Sequence, residues 1–274
     1  MSYEREGPRA LEYYPYRVGS SRILFRGPRP ALKGKYVACM GGTETYGRFV
    51  ERPWPALTEP SLGKACINLG CLNAGVDAYV KDPVVLQVAE GAAVTVIQIM
   101  GAQNISNRFY SVHPRRNDRF LRASKLMQTI YGEVDFTEFH YTRHMLNTLR
   151  ALSEERFVMV VEEVKSAWVA RMQELIGQVR GRVVLVWFAD HLPKAPDDHS
   201  MERDPLFVDR DMLRALEPGV ADYVEYAATD AVKAQGVEGL IYSDFDAPAA
   251  VGVMGPLAHT ELAQRMAPVL AKYT

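Results

Sequence analysis

Residues 36–54 read YVACMGGTETYGRFVERPW. The apolar run 36–40 predicts a strand, and it breaks into Gly41-Gly42, then Thr43, Glu44 and Thr45, then Gly47. Glycines let the backbone turn sharply and approach other groups closely. A strand ending this way predicts a strand-to-helix turn that presents small hydroxyls. Working outward, three further runs have the same character. Residues 65–69 end at Gly70, residues 92–100 (AAVTVIQIM) end at Gly101, and residues 182–188 read RVVLVWF. Nearly unbroken apolar runs suit strands buried on both faces of a parallel sheet.

Residues 154–180 give the clearest helix. Ser153 caps it, and Glu154 and Glu155 place negative charge in the first turn, where the helix dipole favours it. Val161, Val164, Trp168, Met172, Leu175 and Val179 recur at steps of three and four, forming one apolar stripe. Gly181 stops the helix, and the strand 182–188 follows, as in half of a βαβ unit. Residues 210–215 and 221–234 read as helices, 239–242 as a short strand, and 260–272 as an amphipathic terminal helix. Residues 1–35, with Pro8, Pro15, Pro28 and Pro30, read as an extended lead-in holding a short hairpin over 16–25. The expected fold is α/β: three layers, α/β/α, around a mostly parallel central sheet, flavodoxin-like, with 36–274 as one domain.

Composition narrows the function. A chain of 274 residues buries a large core without a metal or disulfide staple. A net charge of -1 gives no field for nucleic acid or anionic lipid. Cys39, Cys66 and Cys71 are odd in number, lack metal-type spacing and sit in apolar or glycine-rich surroundings, which points to a reducing compartment. With no signal peptide and no membrane-length apolar run, the expectation is a cytoplasmic protein without cofactor or metal, its oligomeric state open.

In such folds ligands gather at the carboxyl ends of the strands. The strand ends here deliver GGTETYG, GCLNAG and GAQN, and His259 stands before the last predicted helix. A hydroxyl, backbone N–H groups, carboxamides and an imidazole are the ingredients of acyl transfer.

In order and spacing these blocks resemble the SGNH (GDSL-type) hydrolase superfamily of esterases, lipases and carbohydrate acyl-esterases. The resemblance spans roughly 36–270, with an insertion at about 105–150. It implies that Thr43 stands at the nucleophilic serine, with Gly42 in place of the family's aspartate. It implies an oxyanion N–H at Gly70, with Gly75 as the other match, and an oxyanion amide at Gln103 or Asn104. His259 falls on the base and Pro256 on its orienting aspartate, which leaves Asp244, Asp246 or a carbonyl to orient the ring. GGTETYGRFVERPWP, with FRGPRP before it, also resembles a bacterial family labelled as a domain of unknown function.

Each residue also has a structural reading. Thr43 and Thr45 can simply bond the turn, Asn104 can cap a helix, and His259 can be satisfied by backbone at a helix start. Glu44 reads as solvated. Asn73 and Thr45 are taken as substrate contacts, with Arg108 and Arg115 of the basic stretch 106–125 forming a pocket wall for an anionic group; paired with acids, the same stretch is a solvated face. His140 and His144, four apart, make only a weak zinc pattern. Asp190-His191 and 197–199 follow the strand 182–188 and are within reach of the site, while Pro193 and Pro196 make their loop read as exposed. Two functions follow. One is an SGNH-like hydrolase or O-acyltransferase acting on an ester of a carbohydrate or other polar metabolite. The other is a catalytically inactive relative that binds a glycan or an acidic ligand.

Overall fold

The computed structural model describes residues 11–274. Five strands, β1 (Tyr36–Gly41), β2 (Ala65–Gly70), β3 (Val94–Gln98), β6 (Val183–Ala189) and β7 (Asp222–Ala227), form one sheet in the order β2-β1-β3-β6-β7, and every neighbouring pair is parallel. Between β3 and β6 a small antiparallel hairpin, β4 (Tyr110–Val112) and β5 (Phe120–Ala123), lies within the expected insertion.

Alternate side chains leave the sheet on opposite faces, and each face has its own core. Val37, Cys39, Val184, Val186 and Phe188 join one cluster, while Ala38, Met40, Leu185 and Trp187 join the other. The helices in chain order are α1 (Thr43–Tyr46), α2 (Trp54–Leu62), α3 (Asp77–Val80), α4 (Pro83–Glu90), α5 (Lys125–Ile130), α6 (Thr142–Leu152), α7 (Glu154–Gln178), α8 (Arg210–Arg214), α9 (Asp230–Gln235), α10 (Ala247–Ala250) and α11 (Pro256–Ala271). Residues of α2 and α11 fill the first core, and those of α3, α4 and α7 the second. The result is the three-layer α/β arrangement.

Helix α7 forms for the reasons read in the sequence. Ser153 accepts from the Arg156 N–H at 3.2 Å, and Phe157, Val161, Val164, Trp168, Met172 and Leu175 are all buried. Each such side chain contributes about 1.5–3 kcal/mol. The Trp168 indole donates to the Met100 carbonyl at 2.9 Å, tying the helix to the end of β3.

Three expectations are corrected. Residues 221–234 are not one helix: β7 occupies the first part and α9 the second. Val224 and Tyr226 are buried and their neighbours half-buried, the period-two pattern of an edge strand, which the alanines around it hide in the sequence. Residues 239–242 form no strand; their backbone donates twice, from the Leu240 N–H to the Val237 carbonyl at 3.2 Å and from the Ile241 N–H to the Phe49 carbonyl at 2.8 Å. Helix α11 begins at Pro256, so His259 lies inside its first turn rather than before it.

Of the lead-in, residues 1–10 lie outside the described residues. Tyr16 and Phe25 pair in an antiparallel bridge, as the hairpin reading expects. Arg26 is buried and donates to the carbonyls of Gly47 and Glu51, both at 2.6 Å, and of Tyr46 at 3.3 Å. A guanidinium from the lead-in thus grips the backbone behind the GGTETYG turn.

Candidate functional site

The carboxyl ends of β1, β3 and β6 open into a cavity of about 950 Å³, lined by Gly42, Thr43, Asn73, Gln98, Gln103 and Asn104 among others. The turn itself is built on Gln98, at the end of β3. Its Oε1 accepts from Gly42 N–H at 3.1 Å, Thr45 N–H at 3.0 Å and the Thr45 hydroxyl at 2.6 Å. Gly70 is needed for close approach, since a Cβ there would collide with the Tyr46 backbone nitrogen.

Thr43 opens α1 and faces the cavity. Its hydroxyl donates to Asn73 Oδ1 at 3.2 Å and accepts from the Asn73 N–H at 3.0 Å. Asn73 makes this double contact from a left-handed backbone, φ 53°, a conformation asparagine tolerates better than most residues. Its Nδ2 donates to Asp118 Oδ2 at 3.2 Å, and its carbonyl accepts from Asn104 Nδ2 at 3.3 Å. Asn104 Oδ1 in turn accepts from Thr142 Oγ1 at 2.9 Å, so this residue links the cavity wall to α6 rather than capping a helix. Gln103 is buried; its Nε2 donates to Asp204 Oδ1 at 3.2 Å. Thr43, Asn73, Gln103 and Asn104 are therefore brought together.

Five expected site residues are not. His259 is fully buried behind Phe188, edge-on to that ring with centroids 5.1 Å apart, and its Nδ1 accepts the Trp54 N–H at 3.0 Å. Burial first, and the Arg26 charge second, push its pKa down to about 3, so the ring stays neutral. It closes the open N–H of Pro-led α2 and does not line the cavity. Gly70 spends its N–H on Asn68 Oδ1 at 2.9 Å. Thr45 is buried with its hydroxyl on Gln98. Arg108 stands outside, forked onto Glu163 at 2.6 Å, and Arg115 is exposed with its N–H on His113. His140 precedes α6, so it shares no helix face with His144; among the described residues no three His, Cys, Asp or Glu side chains converge on a metal position.

Sequence reading missed other members. Gln98 sits within the apolar run 92–100, and Asp118 within the basic stretch 106–125. Glu44, read as solvated, is half-buried on the cavity wall and accepts the Met254 N–H at 3.1 Å. Burial, with help from Asp204 and Asp190, pushes its carboxyl up to about 8, against the pull of that N–H. The signal available was position alone: Glu44 lies between two residues already placed at a strand end.

Charge in the cavity leans acidic. Glu44, Asp118, Asp190, Glu202 and Asp204 line it, against Arg48, Arg143 and Arg203. Arg48 is committed to Asp246 at 3.1 Å and Arg143 to Asp204 at 2.5 Å. Cavity-lining His144 is exposed and packs edge-on against Phe139, 5.1 Å between centroids.

The chain is an α/β protein with a doubly wound parallel sheet, and its polar cavity lies at the strand ends, where such sheets place their ligand sites. The chain belongs to the family described as Domain of unknown function (DUF6473), which matches residues 1–274. No curated protein matches it. Among solved structures it is similar to a lipase, Lip_vut3, from a goat rumen metagenome: 13% identity, 88% of this chain and 98% of that one, TM-score 0.43. It is similar also to the salicylyl-acyltransferase SsfX3 from a tetracycline biosynthetic pathway, at 10% identity over 88% of this chain and 58% of that one, TM-score 0.41. A protein from Lactobacillus plantarum is 13% identical, with 88% and 98% covered and a TM-score of 0.38.

Proposed function

We propose that the cavity binds a polyhydroxylated small molecule, a sugar or glycan, on an SGNH-hydrolase-like scaffold acting in the cytoplasm. The observation that carries this reading is the state of Thr43. Its proton goes to a carboxamide oxygen on Asn73, and the imidazole expected to take it is committed to the Trp54 N–H. A hydroxyl without a base is a weak nucleophile, so the acyl-enzyme route through Thr43 and His259 is set aside. Carboxamides and carboxylates around the cavity supply the donors and acceptors that sugar hydroxyls need. The excess of acids over free cations favours a neutral polyol over an acidic ligand. Hydrolysis or acyl transfer on an ester of such a molecule is the second reading, and the observation favouring it is Glu44, a titratable group in the same cavity.

Calorimetric titration with methyl glucoside and with glucuronate tests the first reading. Binding is expected to be tighter for the neutral sugar and to weaken about tenfold in Asp118→Asn, the size of one hydrogen bond to a charged group. Tighter binding of glucuronate, or none of either, refutes it. Stoichiometric labelling by a fluorophosphonate that disappears in Thr43→Ala would restore the threonine as nucleophile.

A further inference from the structure

The binding reading leaves Glu44 unused. Its carboxyl lines the cavity beside Thr43, and its one backbone contact is the Met254 N–H at Oε2. No Lys, Arg or His among the described residues pairs with it. Of the arginines lining the cavity, Arg48 pairs with Asp246 and Arg143 with Asp204, while Arg203 makes no ion pair with Glu44. The acids facing the same space are Asp118, Glu202, Asp190, held 2.7 Å from His191 Nδ1 after β6, and Asp204, which also accepts from Gln103. A carboxyl that no cation pairs with, in a cavity shared with other acids, is costly as structure alone, because an amide would accept the Met254 N–H equally well.

We infer that Glu44 is the general acid of the cavity, giving its proton to the leaving oxygen when an ester of the bound polyol is hydrolysed. This rests on the hydrolytic reading of the same cavity. Water attacks the acyl carbon, a C–O bond forms, and the bond to the sugar oxygen breaks. That oxygen takes the Glu44 proton, and the proton released by water passes to the Asp190 carboxylate. Solvent then returns a proton to Glu44 and removes one from Asp190. The environment suits the role, since burial and the neighbouring acids keep Glu44 protonated up to about pH 8.

Leaving-group dependence tests it. Methyl 6-O-acetylglucoside expels a sugar alkoxide that needs a proton, whereas p-nitrophenyl acetate expels a phenolate that does not. The wild type is expected to release acetate from both, the sugar-ester rate falling above about pH 8. Glu44→Gln keeps the Met254 contact and loses the transferable proton. It is expected to lower the sugar-ester rate by about 10²–10⁴-fold and the aryl-ester rate by less than about tenfold, with Tm unchanged. Equal losses on both esters would mean a structural role and overturn the inference, as would a sugar-ester rate indifferent to the substitution. A wild type that binds methyl glucoside but releases no acetate also overturns it and leaves the binding reading intact. Glu44-dependent release without glucoside binding does the reverse. If Glu44→Gln does not fold, the wild-type profile decides: a flat sugar-ester rate from about pH 7 to 9 overturns the inference.

Discussion

Gln98→Leu removes an acceptor on which three donors converge, the N–H groups of Gly42 and Thr45 and the Thr45 hydroxyl. Leucine branches one atom earlier than glutamine but fills a comparable volume, so little of the cost comes from empty space. The donors are buried under the turn, and each one left unmade costs about 1–3 kcal/mol. The Thr45 hydroxyl can rotate toward another acceptor, so the sum expected is about 3–5 kcal/mol rather than the full total. At about 2–4 °C per kcal/mol for a chain of this size, Tm falls by about 6–20 °C. Gln98→Glu keeps the accepting oxygen and is expected to lose less than half as much. Scanning calorimetry and urea unfolding followed by circular dichroism measure both. The same turn aims Thr43, so methyl glucoside affinity falls as well in whatever Gln98→Leu protein remains folded. A loss below about 1 kcal/mol, or equal losses in the two variants, would refute the argument that this oxygen builds the turn.

His259→Gln tests the assignment of that ring to the core. Its folded pKa near 3 lies below the ordinary 6.5, so as pH falls the unfolded chain takes up a proton that the folded one refuses. Stability is complete above pH 6.5 and drains by roughly 1.4 kcal/mol per pH unit below it. Urea titrations at several pH values should show this slope in the wild type and lose it in the variant, with sugar-ester turnover per folded molecule unchanged. Arg26→Met strands three carbonyls behind the turn and is expected to cost about 3–5 kcal/mol by chemical denaturation; a change under 1 kcal/mol would show the grip to be unimportant. Gly70→Ala drives a methyl group into the Tyr46 backbone and should destabilise by about 3 kcal/mol or fail to express as soluble protein, whereas Gly34→Ala, with open space around it, should at most show its own backbone strain.

The sheet was readable wherever apolar runs were long and ended in glycine. β1, β2, β3 and β6 lie within two residues of the runs that announced them, and α7 starts on the serine that caps it. β7 was not readable. It has one neighbour, only part of its surface is buried, and DYVEYA carries charges on its half-exposed positions, so it shares composition with the helices around it. At the cavity, the strand-end rule found Thr43, Gln103 and Asn104 and, through GCLNAG, Asn73. It found them because parallel topology alone delivers strand ends to one rim. His259 failed for the opposite reason: its helical phase, not its distance from the terminus, decides which way the ring faces, and a helix starting at Pro256 turns it inward. Asp118 and Glu44 escaped because what makes them notable is closeness in space to residues far along the chain, Asn73 in one case and Asp190, Asp204 and Met254 in the other.

The pairing of β3 with β6 sets an order of events during synthesis. Thr95 meets Val183 across that seam, so the small hairpin and α7 must leave the ribosome before the central seam can close. Until then β2, β1 and β3 can associate as a three-stranded leaflet whose β3 edge is open, the arrangement most inclined to capture a stray strand. The nascent protein is therefore most exposed to chaperones, and to aggregation, between the emergence of residue 98 and that of residue 189.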